Sequence, residues 1–289
     1  MNHRTETAAS REAANICAAA RVPVAELWEE LRRHAEKLYT SEPELQPLLS
    51  EVVLQQSCLG MALGMRLARK LAREDMKKSA LAPLLGGVLH DHPKLVMSAA
   101  ADLAAIVERD PACSTALEPL LFYKGFLAIT TYRVSHYLWT HGREALALHF
   151  QSHASEVFGV DIHPAARIGC GILLDHATGF VVGETAIIED DVSILHEVTL
   201  GGTGKTSGAR HPIVRTGVLI GAGAKILGRV EVGTGAKIGA GSVVLHDVPA
   251  HTTVAGVPAV IVGQAVEDKP ALAMNQSIES YESLESSGL

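Results

Sequence analysis

Residues 200–212, LGGTGKTSGARHP, bring glycines, a Lys-Thr pair and an Arg-His pair into one short stretch. Glycines ahead of Lys-Thr suggest a phosphate cradle. The pattern G-x-x-x-x-G-K-[ST], however, needs a glycine at position 199, which is threonine. No helix-forming stretch follows to supply a helix N-terminus; Ser207, Gly208 and Pro212 come instead. The nucleotide-hydrolase reading fails, which leaves Arg210 and His211 as a cation and an imidazole carried by a glycine-rich segment. Arginine grips a carboxylate in bidentate geometry, and a neutral imidazole, with an unperturbed pKa of roughly 6.5, suits proton abstraction. A second candidate pair, Asp161 and His176, stands fifteen residues apart. On that spacing alone, such a pair is more often structural than catalytic.

These side chains need a scaffold, and the chain offers two kinds. Up to Phe158 it reads as helix. Val24, Leu27, Leu31 and Leu38 recur at helical spacing in 24–39, with Glu29 and Arg33 at i, i+4. The stretch 92–111 starts on Pro93 and stops before Pro111, a third runs over 115–139 and ends near Gly142, and a fourth ends at Gly159. Many alanines and other small residues permit close helix contacts. The histidines of this half (His34, His90, His92, His136, His141, His149 and His153) read as surface or core residues rather than ligands.

After Gly159 the period becomes six. Inward pairs separated by one residue run Val160/Ile162, Ala166/Ile168, Ile172/Leu174, Phe180/Val182, Ala186/Ile188, Val192/Ile194 and Val198/Leu200. They resume at Val218/Ile220, Ala224/Ile226, Val230/Val232, Ala236/Ile238 and Ser242/Val244, with glycine following many of them. A small-x-aliphatic-Gly unit at a fixed step of six predicts a parallel β-helix. Two interruptions break it. An eight-residue step at LDHATGF adds two residues, and a twenty-residue step between 198 and 218 contains the glycine-rich stretch. If units 198 and 218 stack as neighbours, about fourteen residues leave the coil as a loop, and such insertions mark a binding face.

Composition bounds the rest. The chain has 289 residues, 47% hydrophobic and 4% aromatic, enough for two domains and a buried core. A net charge of −7 argues against a nucleic-acid or membrane-surface binder. Cys17, Cys58, Cys113 and Cys170 lie far apart and predict buried thiols in a reducing compartment. With no signal-peptide pattern and no apolar run long enough to span a membrane, a soluble cytoplasmic protein is expected. Within 201–240, Lys205, Arg210, Arg215, Lys225, Arg229 and Lys237 face only Glu231, a local excess suited to the phosphates of coenzyme A.

The hexapeptide array together with DIHPAARIG, LDHATG, VVGETA, VTLGGTG, RHP and GAGAKILG resembles the serine acetyltransferase family, and ERDPAC extends the likeness into the helical half. The likeness implies an α+β protein. Residues 1–158 would be a helical oligomerisation domain, 159–263 a left-handed parallel β-helix, and 264–289 a flexible C-terminal tail. It implies acetyl transfer from acetyl-CoA to the hydroxyl of L-serine, with His176 as general base and Asp161 as its carboxylate partner. Asp175, Arg210 and His211 would bind serine, joined by Asp110 from the helical domain. Acetyl-CoA would lie between adjacent β-helices of a trimer, along the backbone near Gly202, Ala222 and Ala240 and the Lys237 side chain. The resemblance further implies a dimer of trimers, feedback inhibition by L-cysteine, no metal, and docking of the C-terminus into O-acetylserine sulfhydrylase. There the family carries isoleucine and this chain carries Leu289. Two alternatives stand beside it. One is a hexapeptide acetyltransferase with a sugar or xenobiotic acceptor. The other is a γ-type zinc carbonic anhydrase built on His211, His246 and His251, which leaves Asp161, Asp175 and Arg210 without roles.

Overall fold

Apolar spacing decides the first half. The computed structural model describes residues 23–204 and 207–278. Helix α1 (Val24–Ser41) buries Leu27, Trp28, Leu31 and Ala35, and short helical turns over 43–54 follow. Helices α2 (Leu59–Leu71) and α3 (Lys78–Asp91) cross at Gly64 and Gly86, where a Cβ on Gly64 would stand 2.5 Å from the Gly86 backbone. Helix α4 (Pro93–Arg109) begins on its proline as expected. The stretch 115–139 is two helices rather than one, α5 (Leu117–Leu121) and α6 (Lys124–Thr140), because Tyr123 adopts an extended conformation at φ −83°, ψ 111°. Helix α7 (Glu144–Phe158) stops on Gly159 at φ 67°, a left-handed cap that glycine takes without strain.

The remainder is a three-faced parallel solenoid. One face stacks β1 (Val160–Ile162), β4 (Phe180–Val182), β7 (Thr199–Gly201), β10 (Lys225–Leu227) and β13 (Val243–Val244). A second stacks β2 (Arg167–Ile168), β5 (Ile187–Ile188), β8 (Ile213–Val214) and β11 (Glu231–Val232). The third stacks β3 (Leu173–Leu174), β6 (Ser193–Ile194), β9 (Leu219–Ile220), β12 (Lys237–Ile238), β14 (Thr252–Gly256) and β15 (Ala259–Gln264), the last pair antiparallel. The second member of each sequence pair lies buried inside the prism in most coils, among them Ile162, Val182, Leu200 and Ile226.

Units 198 and 218 are not neighbours. Strand β7 pairs with β10, whereas β9 pairs with β6, so the two units lie on different faces. Between them runs one more coil segment, Pro212 and β8, whose Val214 is fully buried. The excursion is therefore 202–211, shorter than the fourteen residues expected.

Buried polar contacts weld helices to solenoid. Arg133 of α6 donates to Asp102 of α4 at 2.6 and 3.0 Å and to the Gly169 carbonyl at 2.8 Å, while Asp102 accepts from the Ile172 amide at 2.9 Å. Arg109 donates to the Gly171 carbonyl at 2.9 Å and to Asp191 at 3.2 Å. Beyond β15, residues through Ile278 lie along the third face, including α8 (Pro270–Ala273). There Ser193 donates to the Ala271 carbonyl at 2.8 Å and Lys269 reaches Asp191 at 3.2 Å. The first half of the expected flexible tail is thus packed down; Leu289 and its neighbours from 279 on lie outside the described residues, as do Cys17, Lys205 and Thr206. Cys58, Cys113 and Cys170 are free thiols, and among the described residues no helix is long and apolar enough to cross a membrane.

Candidate active site

Two of the prism's three long edges carry most of the candidate residues. The edge between the third and first faces holds the turn after β3. The two extra residues there force His176 and Ala177 to φ 54° and 61°, a conformation side chains rarely accept and which concentrates at functional sites. Ala177 tucks inside while the His176 side chain remains 73% exposed. Asp175 Oδ2 lies 3.6 Å from His176 Nε2, and the ring of His196, one coil further, stands edge-on at 5.9 Å. The helical half braces this turn. Lys124 hydrogen-bonds the Thr178 hydroxyl, and Gly125 touches the Leu174 carbonyl so closely that a Cβ would approach it to 2.0 Å. Asp110 caps α4, accepts from the Ala112 amide at 2.9 Å, and its charge helps push the neighbouring Tyr123 hydroxyl, already raised by burial, to about 12.

Asp161 makes no hydrogen bond or ion pair with His176 in this structure. It sits on the first face in β1, half-buried, where Gln151 of α7 donates to its Oδ1 at 2.6 Å. The carboxylate nearest the imidazole in this structure is Asp175, next to it on the same turn.

The edge between the first and second faces holds the other cluster. Thr185 organises it. Its hydroxyl accepts from the Arg210 and His211 amides at 3.0 and 3.1 Å, and both its hydroxyl and its amide meet His211 Nδ1, at 2.9 and 3.1 Å. An Nδ1 that accepts leaves the proton on Nε2. Burial, then the charge of Arg210, holds the His211 imidazole below its ordinary value, so it is neutral in the fold. The ring is 7% exposed and lies against Gly183, where a Cβ would come within 2.0 Å of it, and beside Gly202. Arg210 donates to Glu184 at 2.8 Å and to the Gly208 carbonyl at 3.2 Å. That hydrogen bond holds the Glu184 carboxyl below the usual range.

Of the residues expected along the acetyl-CoA groove, Ala222 and Ala240 stand one coil apart on the His176 edge, where Gly221 lets successive coils approach: its Cβ would meet the Ala240 amide nitrogen at 2.6 Å. Gly202 instead belongs to the Arg210 edge. Lys237 lies in β12 on the third face, 5% exposed, donating to the Ser277 carbonyl rather than standing open in a groove. The basic excess of 201–240 is likewise dispersed. Arg215 pairs with Glu189 and Glu231 at 2.7 and 2.9 Å, Lys225 donates to the Glu197 carbonyl, and Arg229 donates to the Thr185 and His211 carbonyls at 3.2 and 3.0 Å. The zinc alternative finds no support: among the described residues His211, His246 and His251 do not gather into a ligand set.

Two residues here escaped the sequence reading. His196 follows His176 by twenty residues, the same step that pairs Leu173 with Ser193, so its position was readable once that coil's length was known. Glu184 lies in the VVGETA stretch without a role assigned to it there; its part is seen only through Arg210.

Comparison with known proteins agrees with this geometry. Residues 27–131 match the family profile "Serine acetyltransferase, N-terminal", and residues 211–246 match "Bacterial transferase hexapeptide (six repeats)". A serine acetyltransferase of Salmonella typhimurium is 54% identical over 250 residues, covering 86% of this chain and 92% of its own length. A serine acetyltransferase solved in complex with cysteine superposes with a TM-score of 0.87 at 51% identity, covering 89% of this chain and 100% of its own. That of Brucella abortus strain S19, solved with coenzyme A, gives 0.81 at 48% identity, covering 86% and 98%. With relatives of this identity and coverage and both profiles matched in order, the chain belongs to the serine acetyltransferase family.

Proposed function

We propose that acetyl transfer from acetyl-CoA to the hydroxyl of L-serine runs in this chain on His176 as general base. The observation that carries the assignment is the turn itself: an exposed imidazole on strained backbone, braced by a second domain and flanked by the carboxylate of Asp175. The neutral imidazole takes the serine Oγ proton as Oγ attacks the thioester carbonyl. The tetrahedral intermediate then expels the coenzyme A thiolate, which the imidazolium reprotonates. Asp175, 3.6 Å from the ring, answers the imidazolium charge, and Asp161 on β1 is assigned as the carboxylate that orients the imidazole in the working complex. Serine brings a carboxylate and an ammonium; Arg210 and the neutral His211 take the former, Asp110 and Asp175 the latter.

The two clusters cannot act within one copy. Each face carries six residues per coil, so the edges stand more than about 10 Å apart at roughly 3.3 Å per residue, beyond the reach of one serine. We therefore assign the site to the junction of two copies, the His176 edge of one against the Arg210 edge of the next, in a closed trimer that pairs into a hexamer in the cytoplasm. Acetyl-CoA lies along that junction past Ala222 and Ala240. Because cysteine differs from serine only by sulfur for oxygen, it is assigned to the same contacts as an inhibitor, and Leu289 is assigned to O-acetylserine sulfhydrylase. An acceptor other than serine, a sugar or a xenobiotic, would leave the Arg210 and Asp110 assignments without a partner.

Coenzyme A release from acetyl-CoA, with and without L-serine, tests the reading. His176→Ala lowers turnover by about 10²–10⁴-fold while the protein stays folded. Near-normal turnover would remove His176 from the chemistry. Asp161→Asn lowers turnover less than His176→Ala, because it disturbs the ring's orientation without removing the base; an equal or larger loss would overturn that division of roles.

A further inference from the structure

On the far side of α7 from the solenoid core, two histidines one helical turn apart, His149 and His153, meet Asp75 of the segment joining α2 to α3. One ligand atom from each lies within 4.8 Å of the others. The two ring centroids lie 4.0 Å apart, with the planes tilted by 42°. Hydrogen bonding does not account for the arrangement. His149 Nε2 is buried and has no hydrogen-bond partner, and neither ring pairs with Asp75. His153 approaches the Leu71 carbonyl through Nδ1 at 3.4 Å, which favours the proton there and turns a bare Nε2 outward.

We propose that Asp75, His149 and His153 form a binding site for a divalent transition-metal ion of zinc type, separate from both edge clusters. Two imidazoles at i, i+4 and a carboxylate are a donor set for zinc, with water as the fourth ligand. Zinc held at about 2.0–2.1 Å keeps its ligands roughly 3.4 Å apart, so closing the set asks for a shift of about an ångström. Asp75 is exposed on a short connection and can supply that movement. The Leu71 carbonyl serves as the outer partner that orients His153. Bound zinc ties the α2–α3 connection to α7, the helix that carries Gln151 and runs directly into β1.

The test uses the full-length protein without a histidine tag, stripped with a chelator and titrated with zinc chloride. Calorimetry and elemental analysis after gel filtration are expected to give one zinc per chain. At free zinc a hundredfold above Kd, the Tm rises by roughly 5–10 °C. Cobalt in place of zinc gives the visible bands of a tetrahedral site. His149→Ala and, separately, Asp75→Asn abolish the stoichiometric binding and the Tm rise, with the far-ultraviolet circular dichroism of the apoprotein unchanged. His246→Ala with His251→Ala leaves both intact. If the unsubstituted protein retains no zinc, or if His149→Ala with His153→Ala binds zinc and gains Tm as the parent does, the site does not exist.

Discussion

A single methyl group at residue 125 tests whether the helical half positions the base. Gly125 lies in the first turn of α6, and a Cβ built there falls 2.0 Å from the Leu174 carbonyl oxygen and 3.3 Å from Cβ of Ala177. Carbon and oxygen settle at about 3.3–3.6 Å, so α6 or the turn must retreat by more than an ångström. The oxygen it meets is backbone, with no flexible side chain to swing away. The turn that yields carries Asp175 and His176. Misplacing a catalytic group by about 1 Å lowers the rate by roughly 100-fold, and overpacking of this kind destabilises by about 1–3 kcal/mol. Gly125→Ala is therefore expected to fold, lose some Tm, and release coenzyme A about a hundredfold more slowly at saturating serine and acetyl-CoA. Gly87→Ala is the control: it lies in α3 with nothing within 4 Å of its Cβ, and the change should leave turnover alone and stabilise the helix by up to about 1 kcal/mol. A Gly125→Ala protein with turnover within a few-fold of the parent would refute the coupling of α6 to His176.

Arg133→Met strands Asp102, whose side chain is 1% exposed, and should destabilise by about 3–5 kcal/mol in urea unfolding; adding Asp102→Leu should recover most of that, and a double variant as weak as the single would contradict it. Arg210→Ala removes a charge-assisted contact of roughly 1.5–3 kcal/mol and should lower kcat/KM for serine about 10- to 100-fold with the acetyl-CoA KM little changed; an effect confined to acetyl-CoA would reassign the residue. Burial holds both His136 and His211 below the ordinary imidazole value. Below about pH 6.5 the unfolded chain then binds more protons than the folded one, so stability is full above that pH and falls as acid is added. A Tm that stays flat from pH 7 to 5 would show that these rings do not carry that linkage.

The solenoid was legible because its code is local: an inward aliphatic every six residues can be counted without knowing what stacks on what. Which residues share an edge is not local. It depends on coil length, and the unit beginning at Pro212 opens with neither a small nor an aliphatic residue, so the step from 198 to 218 read as a single excursion. That one missed segment conceals the separation of Arg210 from His176. The setting of Lys237 is hidden for a related reason. A lysine in a strand normally reaches solvent, yet this one is 5% exposed and donates to the Ser277 backbone carbonyl. Hydropathy does not register docking by carbonyl oxygens. In the helical half, α3 carries Pro83 within it and α2 has no proline or cap to announce it, so neither stood out from the background of alanine and leucine.

The ladders of the solenoid tolerate coils of unequal length. Val181 pairs with Thr199 eighteen residues on, Arg167 with Ile187 twenty on, and Ile187 with Ile213 twenty-six on, all in parallel register. Closing the longest of these circuits rather than the shortest adds only about 0.3 kcal/mol of chain entropy. Neither insertion displaces a strand above or below it, since each is absorbed at a corner. The architecture thereby separates inheritance of the frame from innovation at its corners: residues can be gained or lost at one edge of one storey, almost without thermodynamic penalty, while every other storey keeps its partners. Acceptor choice in such a protein can drift by changes in corner length alone.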